Sequence, residues 1–310
     1  MRIAIQMDAI QSINPNNDST LLIGAEACKR GHSVFYYTPE HLSFDRGVVK
    51  AYAAPIQMRL QEQDYFTLGE FAYMDLSNMD VVLMRNDPPF DTAYITATYI
   101  LEKLQPKVRV VNDPFHVRNN PEKWLVQSFQ DITPATLISR DIRLLTEFRK
   151  EQKDIVLKPL YGFGGHSIFR IREDDQNFTS FLEMYFASTK EPIIAQAFVS
   201  EVDTQEKRIL IIGGEIMPVM NRRPAENEIR SNVRVGGSGH RIELTPKQRA
   251  ICERLIPHLN ERGFFLVGLD MIGDYVTEIN VTSPTSMQWT NRAYGIDTGK
   301  LFWDALERSR

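Results

Sequence analysis

The chain has 310 residues, of which 43% are hydrophobic and 25% charged, and its formal net charge is −4. This composition is typical of a soluble globular protein with enough length for two or three modules, and it argues against a broad nucleic-acid surface. No apolar run reaches the length of a transmembrane helix, and the N-terminus lacks the pattern of a signal peptide. Cys28 and Cys252 have no metal-binding spacing and are expected to be reduced, buried thiols.

The first third of the chain alternates predicted strands and helices. The predicted elements are residues 2–7 (strand), 19–30 (helix), 33–37 (strand), 80–85 (strand), 92–104 (helix) and 108–112 (strand). Such alternation predicts an α/β module with a mostly parallel sheet and helices on its faces. Ligands bind beyond the carboxyl ends of the strands of such sheets, and Asp8, Arg85 and Asn112 are placed there.

A segment rich in Asn and Pro, residues 112–121, predicts a boundary between modules. A short helix over residues 122–129 is expected beyond it, and residues 154–198 are expected to form a small module with a glycine-rich loop. The remainder is rich in strands and closes with a helix around residues 301–308. The predicted division is 1–121, 122–199 and 200–310, with α+β character in the C-terminal half.

The glycine-rich loop lies between two predicted strands. Gly162, Gly164 and Gly165 follow the apolar strand that ends with Lys158. Glycines allow backbone N–H groups to approach phosphate oxygens. The loop is not a Walker A motif, because no Gly-Lys-Ser/Thr follows it and no helix begins there. It is interpreted as a flap between two strands, with Lys158 at its base.

Two apolar strands near the C-terminus, residues 264–272 and 275–281, flank a Gly-Asp turn and predict a hairpin. Glu278 and Asn280 share one face of their strand, because they are two residues apart. Together with Asp270 on the neighbouring strand they suit a hard cation such as Mg²⁺. The alternative is a polar outer face on an ordinary hairpin.

The register of this hairpin decides whether the three side chains converge. A two-residue loop is expected to pair Met271 with Val276 and to put Asp270 and Glu278 on opposite faces. An odd-numbered loop pairs Asp270 with Glu278 instead. A lysine, a glycine flap and a convergent carboxylate cluster together predict a Mg-ATP site.

Several motifs resemble those of bacterial glutathione synthetases, of the ATP-grasp superfamily. They are the glycine-loop segment 158–170 and the hairpin segment 267–285, with further likeness at residues 7–14, 84–91 and 97–102. The Thr-Glu-Ile-Asn-Val-Thr-Ser-Pro-Thr run is specific, whereas the glycine loop is shared with many carboxylate–amine ligases. The resemblance covers nearly the whole chain and implies a Rossmann-like domain followed by a two-part ATP-grasp domain.

The resemblance also implies site residues. The implied ATP-binding residues are Lys123, Lys158, Gly162, Gly164, Gly165, Ser167, Gln196, Phe198, Val199 and Glu206. The implied substrate-binding residues are Arg85, Asp87, Asn232, Gly236, Gly237, Ser283, Pro284 and Thr285. The implied catalytic residues are Arg208 and Arg230, and the implied metal ligands are Asp270, Glu278 and Asn280.

Residue types alone leave alternatives for the basic positions. Lys123 and Lys158 could be solvated surface lysines, which is the usual location of a lysine. The segment that contains Arg222, Arg223, Arg230 and Arg234 is also compatible with a mobile basic loop. Neither alternative requires a bound nucleotide.

The implied reaction needs no covalent nucleophile, and no Gly-x-Ser-x-Gly elbow or histidine cluster suggests one. By resemblance, the carboxylate of γ-glutamylcysteine attacks the γ-phosphate of ATP, and glycine then displaces phosphate from the acyl phosphate. Mg²⁺ is the implied metal, with Mn²⁺ tolerated, and ATP is the co-substrate. The expected partners are these small molecules, with no nucleic acid and no membrane. The protein is expected to be a cytoplasmic homo-oligomer, a tetramer by resemblance.

The chain departs from the family pattern at the substrate end. Asn86 and Ser238 stand where basic residues are common, Tyr161 replaces an acidic residue, and residues 286–289 differ after Ser-Pro-Thr. Two alternatives therefore stay open: an ATP-grasp ligase for another peptide or amino-acid pair, and a nucleotide-binding module without catalysis. The complete metal and lysine set argues against the second.

Overall fold

The computed structural model describes residues 1–165, 167–202, 206–223 and 238–309. Its strands form an eight-stranded, a four-stranded and a six-stranded sheet, with helices packed on them. Within the described ranges, no helix is long and apolar enough to cross a membrane.

The eight-stranded N-terminal sheet contains the predicted parallel strands together with an antiparallel extension. Its strands are β1 (Arg2–Gln6), β2 (Ser33–Tyr37), β3 (Leu42–Asp45), β4 (Val48–Met58), β5 (Phe66–Leu68), β6 (Ala72–Asp75), β7 (Val81–Met84) and β8 (Arg109–Val111). The order is β3-β4-β2-β1-β7-β8, with β5 and β6 paired to β4. Strands β2, β1, β7 and β8 are parallel, as predicted. The extension was not predicted; β4 alternates buried and exposed residues over much of its length, as a half-solvated antiparallel strand does.

The helices of this half are α1 (Ser19–Lys29), α2 (Thr92–Glu102), α3 (Pro114–Asn119) and α4 (Glu122–Leu125). The carboxylates of Asp18, Asp91 and Asp113 accept hydrogen bonds from first-turn N–H groups of α1, α2 and α3. Helix α1 ends before Gly31, whose φ of +75° favours glycine. Helix α4 is shorter than the predicted helix over residues 122–129, and a 3₁₀ turn over Val126–Ser128 follows it.

The four-stranded sheet consists of β9 (Thr136–Ser139), β10 (Ile155–Pro159), β11 (Phe169–Ile171) and β12 (Ile193–Ala197), with α5 (Ile142–Gln152) and α6 (Phe178–Ser188). All of its pairings are antiparallel, in the order β11-β10-β12-β9. The glycine-rich loop connects β10 to β11, as the sequence predicted. This sheet has a hydrophobic cluster of its own.

The six-stranded sheet consists of β13 (Glu206–Ile212), β14 (Glu215–Ile216), β15 (Val219–Arg223), β16 (Ser238–Ile242), β17 (Leu266–Ile272) and β18 (Tyr275–Asn280). The accompanying helices are α7 (Pro246–Glu261), α8 (Met287–Tyr294) and α9 (Thr298–Arg308). The strand order is β16-β15-β13-β17-β18, with β14 paired to β13.

The two large sheets share two hydrophobic clusters, and helices connect them: α9 contacts both α1 and β13, and α4 contacts β18. Asn112 joins them: its amide donates to the carbonyls of Leu266 (2.8 Å) and Val281 (2.7 Å) and accepts from the N–H groups of Phe265 (2.8 Å) and Leu266 (3.0 Å). Asn112 is therefore a structural residue, and its expected place among ligand-binding positions was wrong. The predicted module boundaries at residues 121 and 199 stay a prediction.

Candidate functional site

The C-terminal hairpin contains both of the strand pairings that the sequence analysis treated as alternatives. A two-residue turn pairs Met271 with Val276, and Asp270 nevertheless pairs with Glu278, because the register shifts between them. The extra residue is Thr277, which forms a β-bulge and donates its hydroxyl to the carbonyl of Asp270 at 3.2 Å. The expectation that a two-residue loop separates the two carboxylates was wrong, because a bulge restores their pairing.

Asp270 is held by two arginines, one on the adjacent strand β13 and one on β15 beyond it. Arg208 donates to it through Nε (2.6 Å) and Nη2 (2.8 Å), and Arg222 donates through Nη2 (3.1 Å). Burial opposes ionisation of this carboxyl group, but the two guanidinium groups outweigh it and hold the pKa of Asp270 below its usual value. Asp270 is therefore an ionised, tightly fixed carboxylate.

Two lysines approach the hairpin. The Nζ of Lys123 lies 2.9 Å from Oε1 of Glu278 and also donates to the carbonyl of Gly162 in the flap. The Nζ of Lys158 donates to Oε1 of Gln196 at 3.0 Å. Both lysines are buried, so the alternative of solvated surface lysines was wrong. Burial lowers the pKa of Lys158 to about 8.

The two lysines, Asp270 and Glu278 line one cavity between the four-stranded and six-stranded sheets. Six of the ten implied ATP-binding residues line it, namely Lys123, Lys158, Gln196, Phe198, Val199 and Glu206. Apolar side chains form much of the remaining wall, including Val156, Ile168, Val202 and Ile272. The combination of an apolar surface with two lysines and carboxylates suits a nucleotide, whose base is apolar on its faces and whose phosphates are anionic.

The remaining implied ATP-binding residues lie in the flap. Gly164 and Gly165 have φ angles of +64° and +80°, a backbone region that favours glycine, and Ser167 also has a positive φ of +58°. Gly164 lines a smaller cavity next to Arg208 and Arg222. The flap therefore borders the point at which the two arginines meet the hairpin.

A larger cavity of about 790 Å³ lies at the carboxyl ends of β1 and β7. Asp8 and Arg85 line it, as expected for residues at these strand ends, together with Asp87, Ser283 and Thr285. The smaller cavity shares Asp87, Ser283 and Thr285 with it and also contains Pro284. The two cavities are therefore adjacent, and together they connect the substrate positions to Arg208 and Asn280.

Arg85 is buried and bonded to both halves of the molecule. Its Nε donates to Oγ1 of Thr20 (3.1 Å), and its Nη2 donates to the carbonyl of Pro284 (3.0 Å). The hydroxyl of Ser283 donates to the Arg85 carbonyl at 3.0 Å. The guanidinium group thus borders the larger cavity in a fixed orientation.

Four implied residues lie outside the part of the chain that the structure describes. They are Arg230, Asn232, Gly236 and Gly237. Their roles rest on the sequence alone and stay predictions.

The sequence interpretation missed three residues at these cavities. Arg222 was grouped with a mobile basic loop but lies on β15, where it binds Asp270; the Gly213-Gly214 turn before an apolar run was the signal for this strand. Glu122 lines the smaller cavity, and Trp289 lines the larger one with its Nε1 donating to Asn17 at 3.0 Å. Trp289 belongs to the segment 286–289 that departs from the family pattern, whereas no pattern in the sequence marked Glu122.

Comparison with models of known protein families identifies the family of this chain. Residues 1–118 match the N-terminal domain of prokaryotic glutathione synthetase, and residues 122–295 match its ATP-grasp domain. The chain belongs to the prokaryotic glutathione synthetase family. This confirms the family that the motifs suggested.

Relatives of this family match along the whole chain. Glutathione synthetase from Brucella melitensis is 49% identical over 310 residues, covering 100% of this chain and 99% of the relative. Glutathione synthetase from Agrobacterium fabrum is 49% identical over 308 residues, covering 99% of this chain and 97% of the relative. The chain is accordingly an ATP-dependent ligase of the glutathione synthetase type.

Solved structures match the fold at much lower identity. The D-cycloserine synthetase DcsG has a TM-score of 0.70 at 15% identity and covers 99% of this chain and 100% of its own. The ATP-grasp ligase PsnB, complexed with a phosphomimetic precursor variant, Mg and ADP, has a TM-score of 0.64 at 13% identity. The match covers 99% of this chain and 98% of PsnB. These likenesses support the α/β ATP-grasp fold, which confirms the predicted fold class.

Proposed function

We propose that the chain joins γ-glutamylcysteine to glycine through an acyl phosphate, with conversion of ATP to ADP and phosphate. The observation that carries the proposal is the position of Arg208 and the Asp270–Glu278 pair. They lie between a cavity suited to a nucleotide and the two adjacent cavities that contain the implied substrate residues. A carboxylate and a γ-phosphate entering from opposite sides meet at this point.

The donor set of the hairpin fits a divalent metal ion. Asp270 and Glu278 supply carboxylates, and a cation at Asp270 would displace one of the hydrogen bonds that its oxygens accept from Arg208, Arg222 and Asn280. Asn280 uses its amide nitrogen for bonds to Gly268 (3.0 Å) and Asp270 (3.2 Å), so its oxygen is the atom available to a cation. The described residues contain no group of three His, Cys, Asp or Glu side chains that could replace this mixed set. When bound, Mg²⁺, or Mn²⁺ in its place, neutralises phosphate charge and orients the phosphate chain.

Lys123 and Lys158 are proposed to bind the ATP phosphates. Each now bonds to a protein oxygen, of Glu278 and Gln196 respectively, which phosphate oxygens would replace. Adenine is proposed to bind along the segment Gln196–Val199, which borders the apolar wall of the nucleotide cavity. Glu206 is proposed to contact the ribose.

Arg208 is proposed to stabilise the negative charge that develops during both chemical steps. The substrate carboxylate oxygen attacks the γ-phosphorus while ADP leaves, and the amine nitrogen then attacks the acyl carbon while phosphate leaves. A guanidinium fixed by Asp270 requires no reorganisation when charge appears. Arg230 is proposed to assist it. Closure of the flap would exclude water, which otherwise hydrolyses the acyl phosphate.

The dipeptide is proposed to occupy the larger cavity. Arg85 would bind one of its carboxylates, with Asp87, Ser283, Pro284 and Thr285 forming the adjacent wall. Asn232, Gly236 and Gly237 are proposed to cover the acyl phosphate.

The test is release of ADP with γ-glutamylcysteine, with and without glycine, against a panel of other carboxylates and amines. We expect rapid ADP release only when both proposed substrates are present, with glutathione as the product identified by mass. A higher kcat/KM for another pair would contradict the proposal.

One observation favours a second candidate, a ligase for a different peptide pair. Ser286 and Trp289, which depart from the family pattern, both line the larger cavity. The same substrate panel decides between the two candidates. Cytoplasmic location and a homo-oligomeric, tetrameric state are also proposed, and size-exclusion chromatography with light scattering tests the oligomeric state.

A further inference from the structure

Glu122 begins α4 and binds the chain where it leaves β18. Its Oε1 accepts hydrogen bonds from the N–H of Val281 (2.9 Å), the N–H of Thr282 (3.0 Å) and the hydroxyl of Thr282 (2.8 Å). Three hydrogen bonds to one carboxyl oxygen hold this segment against α4.

The segment that Glu122 fixes is a wall of the substrate cavities. Residues 282–286, here called the substrate loop, all line the smaller cavity, and three of them also line the larger one. Arg85 binds the loop from the other side, through the hydroxyl of Ser283 and the carbonyl of Pro284. The substrate loop therefore has two anchors, Glu122 and Arg85.

The residue after Glu122 is the lysine of the nucleotide cavity. Lys123 bonds to Glu278 and to the carbonyl of Gly162 in the flap. The two residues belong to one short helical turn, and Leu125 at its end and Val126 just after it are buried in the core, while Trp124 is exposed. A displacement of Lys123 is therefore passed to Glu122 rather than absorbed by a flexible segment.

We propose that Glu122 is a positioning residue that couples nucleotide binding at Lys123 to the arrangement of the substrate loop. Phosphates bound to Lys123 stabilise the position of the turn in which Glu122 bonds to Val281 and Thr282, and this arrangement of the substrate loop favours binding of the dipeptide. Each ligand then tightens the binding of the other by the same factor. The inference rests on the proposed function for the identity of the two ligands.

The experiment measures the Kd of γ-glutamylcysteine by calorimetry, with and without a non-hydrolysable ATP analogue and Mg²⁺. The ratio of the two constants is the coupling factor, and we expect at least about fivefold in the unmodified enzyme. Glu122→Ala is expected to bring the ratio close to one. Glu122→Gln is expected to retain most of it, because the amide oxygen still accepts the same hydrogen bonds.

Two further variants separate coupling from general damage. Glu147→Ala, on the exposed face of α5, is the matched control and is expected to keep the full ratio. Thr282→Val removes one of the three hydrogen bonds and is expected to lower the ratio, which keeps the test decisive if Glu122→Ala does not fold.

Several outcomes of this experiment would contradict the proposed coupling. An unchanged ratio in Glu122→Ala or Thr282→Val, loss of the ratio in Glu122→Gln, or a ratio of one in the unmodified enzyme would each overturn the coupling. If the unmodified enzyme binds no γ-glutamylcysteine under either condition, the proposed substrate is wrong and the inference fails with it.

Discussion

At the scale of single residues, the two facing carboxylates of the hairpin differ in their surroundings. The Asp270 side chain is 7% exposed and pairs with two arginines, whereas Glu278 is 20% exposed and pairs with one lysine. Removing a buried partner leaves charges uncompensated, while a more exposed group is partly screened by water. The same chemical change at the two positions should therefore have different consequences.

We predict that Asp270→Asn lowers the free energy of unfolding by about 3–5 kcal/mol, because the buried Arg208 loses its anionic partner and Arg222 keeps only its ion pair with Glu206. Glu278→Gln should leave the fold intact and abolish turnover, because a neutral amide cannot replace the charge that binds the metal. Denaturant unfolding and ADP release measure the two effects. A near-normal rate for Glu278→Gln would refute the metal assignment.

A second prediction concerns Lys158, whose pKa burial lowers to about 8. The cationic form binds phosphate, so nucleotide affinity should be full below that pKa and fall as the pH rises through it, by up to roughly tenfold per pH unit. Calorimetry with a Mg-bound ATP analogue measures this dependence. Lys158→Arg, which stays charged, should abolish it, and an equally steep dependence in that variant would contradict the role of Lys158.

At the scale of elements, the flap has an anchor at its base and glycine at its tip. The ring of Tyr161 stacks on Phe90 of the N-terminal half with centroids 6.0 Å apart and planes at 10°, and Lys123 binds the Gly162 carbonyl. Beyond these contacts, Gly164 and Gly165 adopt positive φ angles. A loop fixed at one end and permissive at the other can close over a ligand without disturbing its strands.

We predict that proteases cut the segment 162–165 in the free protein and that Mg-ATP protects it, because closure excludes water from the acyl phosphate. Limited proteolysis followed by mass spectrometry measures the rate of cutting with and without Mg-ATP. Equal rates of cutting under both conditions would show that the loop is not a lid. Lys123→Ala provides a control, since it should lose protection together with nucleotide affinity.

At the scale of the whole molecule, the substrate cavities are built from both halves of the chain. Arg85 comes from the end of β7, yet its guanidinium binds Thr20 near the N-terminus and Pro284 near the C-terminus. The nucleotide cavity contains none of these three residues. Changes at Arg85 should therefore affect the dipeptide and ATP differently.

We predict that Arg85→Lys raises the KM for γ-glutamylcysteine by about tenfold or more and leaves the KM for ATP nearly unchanged, because an ammonium group cannot bind a carboxylate bidentately. Steady-state kinetics with each substrate varied separately measures the effect, and thermal melting is the control. An early melting transition, or an equal loss for both substrates, would assign a structural role to this arginine.

The sequence predicted those site features that depend on residues close together in the chain, and it missed those that depend on contacts between distant segments. The flap and Lys158 at its base could be predicted from a short run of neighbouring residues. Lys123 is 35 residues earlier in the chain, and only the structure shows that both lysines line the nucleotide cavity. Asn112 was expected to bind ligand because it ends a strand, and only packing shows that its amide joins the two large sheets. Arg222 was missed because its partner, Asp270, belongs to a strand 48 residues away.

The sequence by itself determined the family, the α/β alternation, the glycine flap and the carboxylate motif of the hairpin, because capping, periodicity and motif spacing are encoded within short segments. Only the tertiary structure decided which groups meet. The bulge at Thr277 brings Asp270 opposite Glu278. Two arginines form ion pairs with the buried Asp270 carboxylate, and Glu122 accepts hydrogen bonds from the substrate loop. Register, charge pairing and burial arise from contacts between distant segments, which no local pattern specifies.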